Sequence, residues 1–259
     1  MSGCSAILPS LTAMMKIWAK AATVFLSLVS PAAAGACRDL DFDGQSYSIC
    51  EATAGADLRL FLKGDDGAVL GSFGAVDAVL AADGRKLAFA MNAGMYRPDR
   101  LPVGLYIENG RESARLVRRA GPGNFGLQPN GVFCVNADRF AVIETLTFDA
   151  QKPACRYASQ SGPMLVIGGK LHPRFLEESD SLYIRNGVGV SADGKTAYFA
   201  ISNAAVNFHA FARLFRDGLG ATDALFFDGH ISRLYAPDLG RDDFGFAMGP
   251  IVGLVLPTD

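Results

Sequence analysis

The sequence is short of charge and of catalytic bases. Only 19% of its 259 residues are Asp, Glu, Lys or Arg, and it has three His and one Trp. Its glycines follow no period of three and no long heptad tract runs through it, so collagen-like and coiled-coil readings are excluded. The low charge and 50% hydrophobic content exclude a solvated, disordered chain. The 24 basic and 26 acidic residues give a formal net charge of −2 without a basic stripe, which argues against nucleic acid as a partner. There is no C-x-x-C pair, and His172, His209 and His230 are scattered, so a Cys/His zinc site is not expected. No apolar run of the roughly 20 residues needed to span a bilayer is expected in the mature chain.

What is present begins at the N-terminus. Residues 1–36 contain no Asp or Glu. Lys16 and Lys20 precede the apolar run Ala21 to Val29, Pro31 breaks it, and Ala32-Ala33-Ala34-Gly35-Ala36 follows. A positive stretch, a short apolar stretch and an A-x-A site describe a secretory signal peptide over 1–36; the alternative is an N-terminal anchor. Cleavage after Ala36 leaves a single domain over 37–259 with Cys37 at its start, which invites a lipid on that thiol. Ala34 stands at −3, where lipoprotein signals usually carry Leu, so a periplasmic or secreted protein is the expectation. Cys37, Cys50, Cys134 and Cys155 remain after the leader is lost, an even set for which disulfides are the default in an oxidising compartment. Three pairings are possible, and the local ones, Cys37–Cys50 and Cys134–Cys155, are favoured.

Several segments share one plan: an apolar run, a turn rich in Gly, Asp or Asn, and a second run. Leu58 to Leu62, Val79-Leu80, Gly104 to Ile107, Gly131 to Val135, Met164 to Ile167 and Val188 to Val190 each precede such a turn. Asn-Gly, Asp-Gly and Gly-Gly supply the positive φ that tight hairpins demand, and short connections join antiparallel strands only. From Val206 to Leu219, Phe208, Phe211, Ala212, Leu214 and Phe215 fall at helical spacings, with Asn203 or Asn207 as cap. Asp223 to Asp228 reads as a buried strand. The sequence therefore predicts one α+β domain, a mostly antiparallel or mixed sheet built from hairpins with a few packing helices.

Polar residues gather at strand ends: Asn92 with Gly94, Asn130, Ser161-Gly162, Arg185-Asn186, Ser202 and Asp228-Gly229. Strand ends joined by glycine-rich loops are where side chains converge on a ligand. Taken singly, Asn-Gly and Asp-Gly are ordinary turn residues, Arg185 a surface charge and His209 a packing or capping residue. Asp228 is harder to dismiss, because it follows Phe226-Phe227 and belongs at the mouth of the core.

The same residues carry a resemblance. Asn92-Ala93-Gly94-Met95-Tyr96, Pro102 to Tyr106, Asn124 to Phe133, Gln160-Ser161-Gly162-Pro163-Met164-Leu165, Arg185-Asn186-Gly187-Val188-Gly189-Val190 and Asp228-Gly229-His230-Ile231-Ser232 occur in the order found in the phosphodiester glycosidase domain family. The chain resembles a compact bacterial branch of exported proteins in that family, from about Leu87 to Leu254. Where better-known members carry Asp-Gly-Gly and then Ser, this chain carries the bulkier Asp228-Gly229-His230-Ile231-Ser232. The resemblance implies hydrolysis of a sugar-1-phosphodiester in envelope or exopolysaccharide material, so the expected partner is a carbohydrate or sugar phosphate.

In that chemistry the leaving phosphate already carries charge. Arg and backbone N–H donors can then replace a strong acid, and a carboxylate beside the anomeric carbon stabilises an oxocarbenium-like transition state. Asp228 and Arg185 are the expected catalytic pair. Asn92, Gly94, Asn130, Ser161, Gly162, Asn186, Ser202 and Ser232 are the expected substrate-binding set. Glu144 is a second carboxylate candidate, for which a structural role is favoured. No cofactor is certain; a divalent cation held by Asp228 is possible, and its other ligands are unknown. The alternative is a glycan-binding protein that kept the fold and lost the reaction.

Overall fold

The computed structural model describes residues 37–258, together with Met1 and Gly3. The leader expected over 1–36 and its cleavage site lie outside the described residues. β1 (Cys37–Phe42) turns through Asp43-Gly44, both at positive φ, into β2 (Gln45–Thr53), and β3 (Leu58–Phe61) follows. α1 (Phe73–Ala81) leads into β4 (Arg85–Asn92). β5 (Tyr106–Glu108) and β6 (Arg111–Ala114) form a hairpin, α2 (Gly123–Gly126) is one turn, and β7 (Gly131–Val135) and β8 (Phe140–Glu144) form another hairpin. α3 (Thr145–Gln151), β9 (Tyr157–Ser161), β10 (Met164–Ile167) and β11 (Lys170–Leu171) come next. β12 (Asn186–Val190) and β13 (Thr196–Ser202) pair across Asp193-Gly194, and α4 (Phe208–Arg213) runs on into a π-helical turn, Leu214–Gly218. Then come β14 (Asp223–Asp228), β15 (Leu234–Ala236), β16 (Arg241–Asp242) and β17 (Ile251–Pro257).

These strands make three sheets, in the orders β1-β2-β13-β12-β14-β10-β11, β16-β15-β4-β17-β3 and β6-β5-β9-β7-β8. Every pairing within them is antiparallel. All three turn one face toward a shared core. Phe199 of the first sheet packs on Phe89 of the second at 5.4 Å and on Phe133 of the third at 5.8 Å between ring centroids. The outer faces have separate clusters, covered by α4 on the first sheet, α1 on the second and α3 on the third. β14 shows the alternation a two-sided strand requires: Leu225 and Phe227 enter the shared core, Ala224 and Phe226 the outer one. No described helix is long and apolar enough to cross a membrane.

The hairpins expected at Gly104 to Ile107, Gly131 to Val135, Met164 to Ile167 and Val188 to Val190 are present, and β14 has its expected bounds. Val79-Leu80 is not a strand but the end of α1. Ser72 caps that helix by accepting from the Ala75 N–H at 3.1 Å, and Phe73, Val76 and Leu80 share its buried face. The expected Val206 to Leu219 helix is α4 and its π-helical turn, with Asn207 as the cap. Both local disulfides are formed: Cys37 faces Cys50 across β1 and β2, and Cys134 of β7 joins Cys155.

Candidate active site

Asp228 sits where β14 leaves the first sheet. A register shift between Asn186 and Gly187 of β12 makes Asn186 the partner of Asp228, while Gly187 pairs with Phe226. Phe227 points into the core, and Asp228 is left at the sheet's end. There a cleft of about 320 Å³ opens, lined by Met95, Asn124, Ser181, Tyr183, Asp228 and His230 among others. Asn186 ties two sheets together at this point. Its Nδ2 donates to the main-chain O and to Oδ1 of Asn92 on β4, at 3.0 and 2.9 Å. Its Oδ1 accepts from the Asp228 N–H at 3.2 Å. Asn92 Oδ1 in turn accepts from the Arg233 N–H at 3.0 Å, and Ser232 Oγ donates to the Asp228 main-chain O at 2.8 Å. Both ends of the loop carrying Gly229, His230 and Ile231 are thus fixed by buried amides.

Asp228 is 9% exposed and makes no salt bridge among the described residues, and His230, two positions on, acts on its charge. Burial pushes its pKa above the usual carboxylate range. The N–H groups of His230, Gly229 and Ile231 oppose that shift by bonding the ionised form, His230 N at 2.9 Å from Oδ1. The result is a poorly solvated carboxylate presented by a loop of aligned amides.

Arg185 lies beneath that loop, fully buried. Its Nε donates to the Val206 carbonyl and its Nη2 to the Ser181 carbonyl, both at 2.8 Å, and its guanidinium lies 3.6 Å from the centre of the Phe208 ring. Ser202 Oγ accepts from the Arg185 main-chain N–H at 2.9 Å. No carboxylate compensates the charge among the described residues, and burial pulls the pKa down to about 10. Nη1 has no partner. A Cβ added at Gly229 of the loop would lie 3.9 Å from it. A surface role for Arg185 is therefore overturned: aromatic rings and carbonyls hold it as a buried cation.

The expected substrate-binding residues divide into two groups. Asn92, Asn186, Ser202 and Ser232 converge with Asp228 and Arg185 in the network just described. Gly94, Asn130, Ser161 and Gly162 form a wall behind it. Ser161 Oγ donates to the Phe227 carbonyl at 2.8 Å, Asn130 Nδ2 to the Phe125 carbonyl at 2.7 Å, and the absent Cβ of Gly94 leaves room for Ser159 Oγ. Asn92, Asn130, Ser161, Asn186 and Ser202 are all fully buried. Their side chains hold the loop and strand ends in place. Only Asn130 Oδ1 is buried there without a donor. Glu144 stands apart: its two oxygens accept from the Leu146 and Thr147 N–H groups and cap α3.

Two residues near this network were not among the site residues expected from sequence. Tyr96 has its phenol pushed up by burial and by the charge of Asp228, and donates to the Ala247 carbonyl at 3.0 Å. Arg233, 8% exposed, packs its guanidinium against Gly245 and makes no side-chain hydrogen bond or ion pair among the described residues. Arg233 directly follows Ser232 in a block the sequence had already marked, which was the available signal.

The family profile described as phosphodiester glycosidase matches residues 85–241, which include Asn92, Arg185, Asn186, Asp228 and Arg233. An uncharacterised Escherichia coli protein, YigE, is 36% identical over 178 residues, 69% of each chain. The catalytic domain of zebrafish N-acetylglucosamine-1-phosphodiester alpha-N-acetylglucosaminidase, auto-inhibited by its pro-peptide, superposes with a TM-score of 0.54 at 15% identity, covering 85% of this chain and 81% of that one. A putative exported protein of Burkholderia pseudomallei gives 0.52 at 12% identity, over 81% and 74%. The superpositions speak for the fold. The profile, spanning β4 to β16 and every strand end that builds the cleft, speaks for descent: the chain belongs to the phosphodiester glycosidase family.

Proposed function

We propose that the protein is an exported hydrolase that cleaves the sugar–phosphate bond of a sugar-1-phosphodiester, with Asp228 and Arg185 as its central residues. Two observations support this reading: a poorly solvated carboxylate on a loop of N–H donors, and, under Gly229 of that loop, a buried guanidinium with one nitrogen lacking a hydrogen-bond partner. A phosphodiester supplies what each lacks. Its negative charge answers Arg185 and the loop amides, and its anomeric carbon offers developing positive charge to Asp228. The phosphate departs as an anion, so no strong acid is required at the leaving oxygen. Export is supported by the two disulfides, by the exported relative of similar fold and by the leader-like residues 1–36. Among the described residues no three His, Cys, Asp or Glu side chains converge, and Asp228 has no second carboxylate beside it, so the donor set does not fit a resident divalent cation.

The test is release of free sugar from a panel of sugar-1-phosphodiesters, including UDP-sugars, with and without EDTA. Turnover that persists in EDTA and vanishes in Asp228→Asn supports the reading. Full turnover in both Asp228→Asn and Arg185→Lys sinks the mechanism. The exposed His230, 6.4 Å from the Tyr183 ring, adds bulk at the cleft and favours a second reading, binding of a glycan without reaction. Saturable binding with no product from any substrate would select it.

A further inference from the structure

The wall of the Asp228 cleft is poor in positive charge. Arg185 lies beneath the loop, fully buried, and the Arg233 guanidinium packs on Gly245, where the Asp243 carboxylate acts on it. Among the described residues that line the cleft, Asp228 is the one acid and His230 the one base. A phosphodiester is an anion. It meets the Asp228 charge on entering, and a cation on the wall is needed to offset that repulsion. His230 is placed to be that cation. It is exposed, stands two positions after Asp228 on the same loop, and is close enough for its charge to act on the Asp228 carboxylate. The two form no salt bridge. Asp228 Oδ1 instead accepts from the His230 main-chain N–H at 2.9 Å. The imidazole approaches Tyr183, edge-on at 82° with 6.4 Å between ring centroids. Neither imidazole nitrogen makes a hydrogen bond among the described residues.

We propose that His230 is the phosphate-binding cation of this cleft, its protonated imidazole donating to a phosphodiester oxygen beside Asp228. The proposal deepens the hydrolytic reading and rests on it for the phosphate in the cleft. Arg185 and His230 then act from different places. Arg185 acts from beneath the loop, whereas His230 presents its N–H groups on the wall itself, where a charge-assisted hydrogen bond can form. The charged and titratable groups that face the imidazole are few: Asp228 on its own loop, Tyr183 across the cleft and Arg185 below. Met95, Asn124 and Ser181, from the other walls, bring no charge. A packing or capping role would leave the ring covered or hydrogen-bonded, and it is neither. The position that sets this loop apart from the Asp-Gly-Gly form is therefore the one that brings the charge.

The test reads anion binding separately from turnover. Dimethyl phosphate, whose single charge does not change with pH, is titrated into mature protein at about pH 5.5 and about pH 8.5, on either side of the range in which histidines change charge. Binding is followed by NMR chemical shifts. Asp228→Asn is measured alongside, which removes the titration of that carboxylate from the comparison. In both backgrounds the affinity is expected to be at least about tenfold higher at the lower pH. His230→Gln should bind weakly at both pH values and His230→Lys tightly at both, since lysine keeps its charge. Melting temperatures should be unchanged, because the side chain is exposed. Equal affinity in the native protein and His230→Gln overturns the proposal. So does a loss that His230→Lys fails to restore, because shape and not charge would then be what counts. Sugar release untouched by His230→Gln would keep the reaction and take His230 off the phosphate. Binding of dimethyl phosphate that depends on His230, without sugar release from any phosphodiester, would keep the phosphate site and remove the reaction.

Discussion

Asp228 is the residue on which the proposed activity and stability pull in opposite directions. Its folded pKa is raised by burial, so the folded chain holds the proton more tightly than the unfolded chain. Stability therefore falls as pH rises from the unfolded carboxylate range through the raised folded value, and stays lower above it. Asp228→Asn removes that loss. It is expected to lower sugar release by at least about a thousandfold while melting higher than the native protein at neutral pH, with the gap closing below about pH 3. Paired melting curves across pH check this; a variant that melts lower at neutral pH would contradict it. The acid limb of kcat/KM should lie above the usual carboxylate range, because the proposed reaction uses the ionised form. Asp228 was legible in sequence because a charge directly after Phe226-Phe227 has nowhere to go but the end of a buried strand. Arg185 was legible as a residue but not as an environment: nothing local says that Val206 and Ser181 carbonyls and the Phe208 ring enclose it.

The elements behave as their caps and turns dictate. Glu144→Ala removes both acceptors from the first turn of α3 and should cost about 1 kcal/mol of stability with sugar release unchanged. A loss of activity would return Glu144 to the list of reacting carboxylates. Asn186→Ala leaves the Asp228 N–H and the Asn92 Nδ2 without their buried acceptor. It should cost on the order of 2–4 kcal/mol and lower activity, with chemical denaturation and sugar release read on the same preparation. Hairpins such as β12–β13 were readable because Asp193-Gly194 fixes the turn and alternation fixes the faces. α1 was misread because its two most visible apolar residues, Val79 and Leu80, are adjacent, although Ser72, Phe73, Val76 and Leu80 spell a capped helix. The Asn92–Asn186 contact joins residues far apart in the chain, and each looks like a turn residue in its own neighbourhood.

For the whole molecule, the two disulfides act on different parts of the fold. Cys37–Cys50 clips an edge hairpin, whereas Cys134–Cys155 ties β7 to the segment entering β9. Cys134→Ser/Cys155→Ser is expected to cost about 3 kcal/mol through the 21-residue separation it releases, and loss of Cys37–Cys50 less in practice, because the β1–β2 ladder remains. Denaturation midpoints of the two double variants decide this. The larger arrangement was beyond local pattern. Three sheets around one aromatic core depend on which strands meet, and β4 meets β17 across most of the chain. That pairing also makes the second sheet depend on β17: residues 251–257 lie between β3 and β4 as an inner strand, and without them those two strands have an open seam between them. A chain stopped at Pro250 should accordingly stay protease-sensitive throughout, in β12 and β14 as much as in β4.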